Sequence, residues 1–103
     1  MRFKTYKLSK LERGRYSILT DDLKHCYICG YPKEDMHEVY GGANRRISME
    51  NGFCVPLCRH HHIQITVNDT MNKALKRVCQ KKYEETHTRD EFMSLIKKNY
   101  LED

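Results

Sequence analysis

The sequence lacks tryptophan, and it has only two prolines and five glycines in 103 residues. Hydrophobic residues make up 39% of the chain, and the mean hydropathy is −0.83. A chain of this length buries only about two-thirds of its unfolded surface on folding, so this composition excludes a large apolar core. No run approaches the roughly 18 apolar residues that a membrane-spanning helix requires. We therefore expect no membrane partner.

The first residues also lack the apolar segment that follows the basic residues of a secretory signal. We therefore expect a cytoplasmic protein whose thiols stay reduced. The five cysteines are an odd number, which fits a disulfide framework poorly. Reduced cysteines in a small domain favour metal binding instead.

Acidic residues are outnumbered: 14 Asp and Glu stand against 19 Lys and Arg, which gives a net charge of +5. The basic residues concentrate in residues 2–15 and 73–82. Such clusters form either a solvated tail and helix face or a surface for an anionic partner such as nucleic acid. Charge alone does not choose between these two interpretations.

We predict one domain over residues 1–103, built from three parts: a basic arm over 1–24, a metal-binding core over 25–68 and helices over 69–103. The core holds four of the five cysteines, five of the six histidines and both prolines. So many turn-forming and metal-ligating residues in one segment indicate short elements organised around a site.

Within the core, apolar runs predict two short strands, over 36–40 and 53–57. The segment between them, 41–52, is glycine-rich at both ends and is predicted to be a loop. Residues 59–67 lack turn formers and are predicted to form a short helix. The core is therefore expected to run strand, loop, strand, helix.

The last third is predicted to contain two helices. The first follows Asn68 and Asp69, either of which can cap it, and carries apolar residues at helical spacing. The second starts at Thr88, where Glu91 three residues later completes a capping box.

Two short motifs in the core have the spacing of zinc ligands. Cys26 and Cys29 form a C-x2-C knuckle followed by glycine, and Cys58 and His61 form a C-x2-H pair downstream. Three thiolates and one imidazole make a closed structural Zn²⁺ site, which would supply folding energy that the sparse core does not. Cys54 is the alternative fourth ligand; we prefer His61 because its spacing repeats that of the first knuckle.

Three segments carry a family resemblance: CYICG, then MHEVYGGANRR, then GFCVPLCRHHH. Together they resemble the HNH endonucleases of the His-Me finger group, and more closely the small phage- and prophage-type members. The resemblance covers roughly residues 18–101. It implies an α+β fold with a zinc-stapled, treble-clef-like ββα-metal core and additional C-terminal helices, encoded by a phage or prophage in a bacterial host.

The same resemblance implies a metal-dependent endonuclease that hydrolyses DNA phosphodiester bonds. His37 and His62 match positions that hold a catalytic divalent metal, which would be Mg²⁺, Mn²⁺, Ni²⁺ or Zn²⁺. Glu38 occupies the position of the family's usual general base, a histidine. The base is therefore either Glu38 or His37, the latter with Asp35 or Glu38 helping to hold metal.

The family pattern is only partly present. Phe53 stands where the middle asparagine is usual, and Asn68 is the only counterpart of a further helical ligand. A non-catalytic zinc module that binds DNA or protein is therefore the alternative function. An enzyme active only with phage packaging or recombination partners is a third.

Three residues that follow the double glycine are candidate DNA-binding residues. Guanidinium groups can hold phosphate oxygens in pairs and so position a backbone without reading bases. The candidates are Asn44, Arg45 and Arg46.

Overall fold

A computed structural model of the chain describes residues 6–101 and contains two strands and five α-helices. The strands are β1 (Asp35–Glu38) and β2 (Cys54–Leu57), and the helices are α1 (Tyr6–Arg13), α2 (Arg45–Asn51), α3 (Arg59–Val67), α4 (Asp69–Tyr83) and α5 (Arg89–Ile96). The expected α+β composition is confirmed. The first five residues of the predicted basic arm lie outside the described part of the chain.

The two strands pair antiparallel, with Asp35 opposite Leu57 and Glu38 opposite Cys54. They are shorter than the predicted 36–40 and 53–57. The amide of Val39 still donates to the carbonyl of Phe53 at 2.8 Å. The buried hydroxyl of Ser48 accepts a hydrogen bond from the amide of Tyr40 and donates one to its carbonyl. These bonds replace the bonds between strands at Tyr40, and the strand pairing ends there.

The prediction of a loop over 41–52 is wrong. The segment contains a 3-10 turn (Gly42–Asn44) and then helix α2. Gly52, taken as a loop residue, adopts φ +74° and ends the helix in the left-handed conformation that glycine favours. Ser48 and Met49 are buried, so packing against β1 stabilises a helix too short to be stable alone.

The basic arm also contains a helix, α1, that the sequence pattern did not predict. The arm is attached to the end of α2: the amide of Ile18 donates to the carbonyl of Gly52 at 2.9 Å, and the Tyr16 hydroxyl donates to the carbonyl of Glu50 at 3.0 Å. A side chain at Gly52 would meet the Tyr16 ring at 2.5 Å. Gly52 therefore has two roles: it ends α2, and it lets the Tyr16 ring pack closely against the backbone.

The three C-terminal helices match the prediction closely. The Asn68 side chain accepts a hydrogen bond from the amide of Met71 and so caps α4. Thr88 and Glu91 form the expected capping box at the start of α5. Within residues 6–101, none of the helices combines the length and the apolar character needed to cross a bilayer.

The core joins the sheet to the C-terminal helices through aromatic rings. Tyr40 lies at 5.4 Å from Phe53 and at 5.6 Å from both Phe92 and Tyr100, measured between ring centroids. Phe53 and Phe92 are completely buried. This cluster packs the residues that follow β1 and precede β2 against α5. At the other end of the sheet, the pairing of Asp35 with Leu57 brings the loop before β1 close to the start of α3.

Candidate functional site

Three cysteines and one histidine meet where the chain enters the sheet and where it leaves it. Cys26 and Cys29 lie in the loop before β1, while Cys58 caps α3 and His61 follows within its first turn. Their ligand atoms all lie within 4.8 Å of one another, and no other group of three or more such residues in the described part of the chain does so. The four residues can hold one metal ion.

The distances within this cluster fit a tetrahedral ion. Bonds of about 2.3 Å to sulfur and 2.0–2.1 Å to nitrogen put tetrahedral ligands about 3.6–3.8 Å apart. Cys29 Sγ and Cys58 Sγ are 3.7 Å apart, and His61 Nδ1 lies 3.8 Å from Cys26 Sγ and 3.3 Å from Cys58 Sγ. Two of the three distances lie in the tetrahedral range, and the third is about 0.3 Å shorter, so the cluster is close to the size that a tetrahedral ion needs.

The backbone holds the first two cysteines in this geometry. The amide of Gly30 donates to the carbonyl of Cys26 at 2.9 Å, and Gly30 adopts φ +80°, which favours glycine. The amide of Tyr27 donates to the carbonyl of Pro56 at 2.8 Å. The knuckle is thereby fixed to β2, next to the second pair of ligands.

The thiol of Cys26 is prepared for metal binding. Burial raises the pKa of Cys26, but hydrogen bonds from the amides of Cys58 and Cys29 to its sulfur outweigh burial and lower the pKa to about 6. The thiolate is the form that binds metal. A hydrogen bond from the Tyr31 amide lowers the pKa of Cys29, but desolvation and hydrogen bonds with the Cys26 and Cys58 side chains together raise it.

Cys54 lies outside the cluster. It is completely buried, its sulfur lies 3.8 Å from the carbonyl oxygen of Ser48, and burial raises its pKa to about 12. Cys79 on α4 is equally buried, and burial raises its pKa to about 12 as well. His61 therefore fits the fourth ligand position, and Cys54 and Cys79 are core residues.

His37 and His62 lie side by side, and His62 directly follows the cluster residue His61 on α3. His37 on β1 and His62 on α3 have ring centroids 5.3 Å apart, in an edge-to-face arrangement at 65°. Burial, and secondarily the neighbouring His62, lowers the pKa of His37 to about 4. The His37 ring is therefore neutral at pH 7, with a lone pair for a metal or a proton.

An acidic residue adjoins this pair. Asp35 Oδ2 lies 3.1 Å from His62 Nδ1 and 3.0 Å from Arg59 Nε. The Arg59 guanidinium, followed by His62, lowers the pKa of Asp35 below its usual range. Asp35 and His37 share one face of β1 because they are two residues apart.

Glu38 lies on the other face of the strand, away from His62. Its Oε1 atom accepts from Arg15 at 2.5 Å and lies 3.3 Å from Arg45 Nε. Arg45 also pairs with Glu12. The structure thus brings His37 and His62 together, and it holds Glu38 in an ion-pair network with the N-terminal arm.

The candidate DNA-binding residues belong to a helix rather than to the expected loop. Asn44 precedes α2 without a side-chain capping bond. Arg45 is engaged by two carboxylates, whereas Arg46 is half exposed and lies 3.7 Å from Glu50. Their contact with DNA stays a prediction.

Sequence reasoning assigned no role to Arg15, Arg59 and Ser48. The contact of Arg15 with Glu38 spans 23 residues, and no local pattern signals it. The contact of Arg59 with Asp35 spans 24 residues and depends on how α3 packs against β1. Ser48 lies in the segment that was predicted to be a loop, so its burial on α2 was not expected.

Fold and site together define a small α+β protein with a Cys3His cluster able to hold a metal ion. Comparison of the chain with protein-family models, curated proteins and solved structures finds no match.

Proposed function

We propose that this chain is a zinc-stapled HNH-type endonuclease that hydrolyses DNA phosphodiester bonds with the help of a divalent metal. The observation that carries the proposal is the pairing of His37 from β1 with His62 from α3, 5.3 Å apart between ring centroids, beside the Cys3His cluster. A two-stranded antiparallel sheet followed by a helix that packs against it is the arrangement expected of a ββα-metal core.

The Cys3His cluster would hold Zn²⁺ in a structural role. Cys26, Cys29, Cys58 and His61 would supply the four ligands that a structural Zn²⁺ usually has, so the ion would need no water or substrate as a ligand. The ion would link the loop before β1 to the start of α3, and so would fix the distance between His37 and His62.

His62, and His37 in one form of the proposal, would hold the second divalent ion: Mg²⁺, Mn²⁺, Ni²⁺ or Zn²⁺. When bound, such an ion offsets the negative charge that develops on the scissile phosphate. In that form, the two rings would supply nitrogen ligands from one strand and one helix.

Two side chains are candidates for the base that deprotonates the attacking water. Glu38 Oε1 is engaged by Arg15 and Arg45 on the far face of β1. His37 carries a neutral ring on the face that His62 occupies. The ion pairs of Glu38 favour it as an anchor for the N-terminal arm. The position of His37 on the face that His62 occupies, rather than its pKa, then makes His37 the candidate base.

A nicking assay on supercoiled plasmid tests the activity, with each of the four metals and a chelator control. His37→Ala is expected to lower the rate about 100-fold or more, with zinc content and circular dichroism unchanged. His87→Ala is the matched control, because His87 is an exposed histidine between α4 and α5. Absence of cutting with every metal, or equal cutting by His37→Ala, would contradict the enzyme proposal.

The same variants separate the two candidate bases. If His37 is the base, His37→Ala keeps Mn²⁺ binding but loses cutting, and Glu38→Gln keeps most of both. If Glu38 is the base, Glu38→Gln loses cutting and keeps Mn²⁺ binding. Binding is followed by the electron paramagnetic resonance signal of free Mn²⁺.

The second candidate function is a non-catalytic zinc module that binds DNA or a protein. The ion pairs that hold Glu38 favour it, because the residue at the family's base position then has a structural role. Binding of a fluorescent DNA duplex that neither the four metals nor His37→Ala affects would support this module.

A further inference from the structure

Asp35 makes a hydrogen bond that determines which nitrogen of His62 carries hydrogen. Asp35 Oδ2 lies 3.1 Å from His62 Nδ1, and both side chains are partly buried, with 23% and 33% exposed. An ionised carboxylate can only accept hydrogen bonds. The hydrogen in this contact must therefore be on His62 Nδ1.

Arg59 also contacts the Asp35 carboxylate, and its shorter contact is to the same oxygen that contacts His62. Arg59 Nε lies 3.0 Å from Asp35 Oδ2, and Arg59 Nη2 lies 3.4 Å from Oδ1. Arg59 and His62 are three residues apart on α3, so the same helix face presents both side chains to the first residue of β1. The carboxylate is thereby oriented toward the His62 ring by two elements of the fold.

A neutral imidazole has one N–H and one nitrogen lone pair. With its hydrogen on Nδ1, the His62 ring has its lone pair on Nε2. A carboxylate that accepts from one ring nitrogen fixes the orientation and raises the basicity of a histidine that binds metal through the other.

We propose that Asp35 is a positioning residue, which fixes His62 in the Nδ1–H tautomer so that Nε2 is available to a divalent cation. The inference rests on the proposed function for the role of the cation, whereas the tautomer itself does not. Loss of such a partner typically costs 10–100-fold in metal affinity.

The test uses zinc-loaded Asp35→Asn at pH 8. Nitrogen-15 NMR of the imidazole rings reports the tautomer of His62, and the paramagnetic resonance signal of free Mn²⁺ measures the affinity for the cation. In the wild type we expect His62 in the Nδ1–H form. In Asp35→Asn we expect a smaller population of that form and a 10–100-fold weaker affinity for Mn²⁺, with zinc content unchanged.

The chain contains a matched control. Asp22 Oδ2 lies 2.8 Å from His25 Nδ1, a second Asp–His pair, but both of its side chains are more than half exposed. Asp22→Asn removes the same carboxylate oxygen from a histidine outside the proposed site. It is expected to leave the His62 tautomer and the affinity for Mn²⁺ unchanged.

The inference is overturned if wild-type His62 carries its hydrogen on Nε2, or if Asp35→Asn binds Mn²⁺ within twofold of the wild type. Failure of the proposed function looks different. In that case the wild type binds no Mn²⁺ and cuts no plasmid, while the NMR signal still shows whether Asp35 fixes the His62 ring.

Discussion

Replacing single cysteines by serine distinguishes metal binding from ordinary packing. Cys29 is exposed and belongs to the Cys3His cluster, whereas Cys54 is completely buried and does not. The two substitutions make the same chemical change, sulfur to oxygen, in opposite environments. If burial alone matters, Cys54→Ser should lower the free energy of unfolding more than Cys29→Ser. If the cluster binds a metal, Cys29→Ser should lower it more.

Without a metal, Cys29→Ser should change the free energy of unfolding by no more than about 0.5 kcal/mol, as exposed substitutions do. Cys54→Ser buries a hydroxyl and should cost about 1–3 kcal/mol. If the cluster holds Zn²⁺, Cys29→Ser should instead cost more stability than Cys54→Ser. A structural zinc contributes about 10–16 kcal/mol of apparent binding free energy, which is as large as the whole stability of a typical domain, about 5–15 kcal/mol.

We therefore expect Cys29→Ser to lose its zinc and to unfold at much lower urea concentration, or not to fold at all. Cys54→Ser should keep one zinc per chain and a cooperative transition. Zinc is measured by mass spectrometry of the purified protein, and stability by circular dichroism in urea. Retention of one tightly bound zinc by Cys29→Ser, together with greater damage in Cys54→Ser, would refute the reasoning.

Three further predictions concern the structure around the site. Ser48→Ala leaves both backbone groups of Tyr40 without their buried partner and should cost about 2–4 kcal/mol in urea unfolding; a loss below about 0.5 kcal/mol would contradict this. Glu38→Gln removes the charge that pairs with two guanidinium groups and should cost about 1.5–3 kcal/mol, whereas an unchanged midpoint would show that the network adds no stability. Burial raises the pKa of the Cys54 and Cys79 thiols to about 12. Their contribution to stability is therefore complete below the unfolded pKa of about 8.5 and should be lost as the pH rises toward 12. A Cys79→Ala variant should show a smaller alkaline loss, and an equal loss would exclude the thiol as its source.

Local chemistry made much of the fold predictable. The caps at Asn68 and Thr88 use side chains that accept from amides three residues away, so a short stretch of sequence contains the whole signal. The knuckle at Cys26 and the pair at Cys58 are likewise local motifs. Only their meeting depends on the pairing of the two strands, which the structure shows.

The errors arose where distant contacts decide the structure. Glycine at both ends of residues 41–52 indicated a loop, but Gly52 ends a helix whose buried face includes Ser48. The ion pair of Arg15 with Glu38 joins residues 23 apart, and a basic arm gives no sign of which carboxylate it will meet. Glu38 was consequently considered only for chemistry, although its contacts give it a role in stability.

The alternation of β1 has a consequence for any systematic mutational survey of this chain. Asp35 and His37 face α3, while Met36 and Glu38 face the opposite side of a sheet only two strands wide. Along these four consecutive positions, harm to cation binding and harm to folding should therefore alternate with a period of two. A survey that measured only activity would not distinguish variants that lose cation binding from variants that lose folding. Measuring the abundance of each variant as well as its activity would distinguish the two.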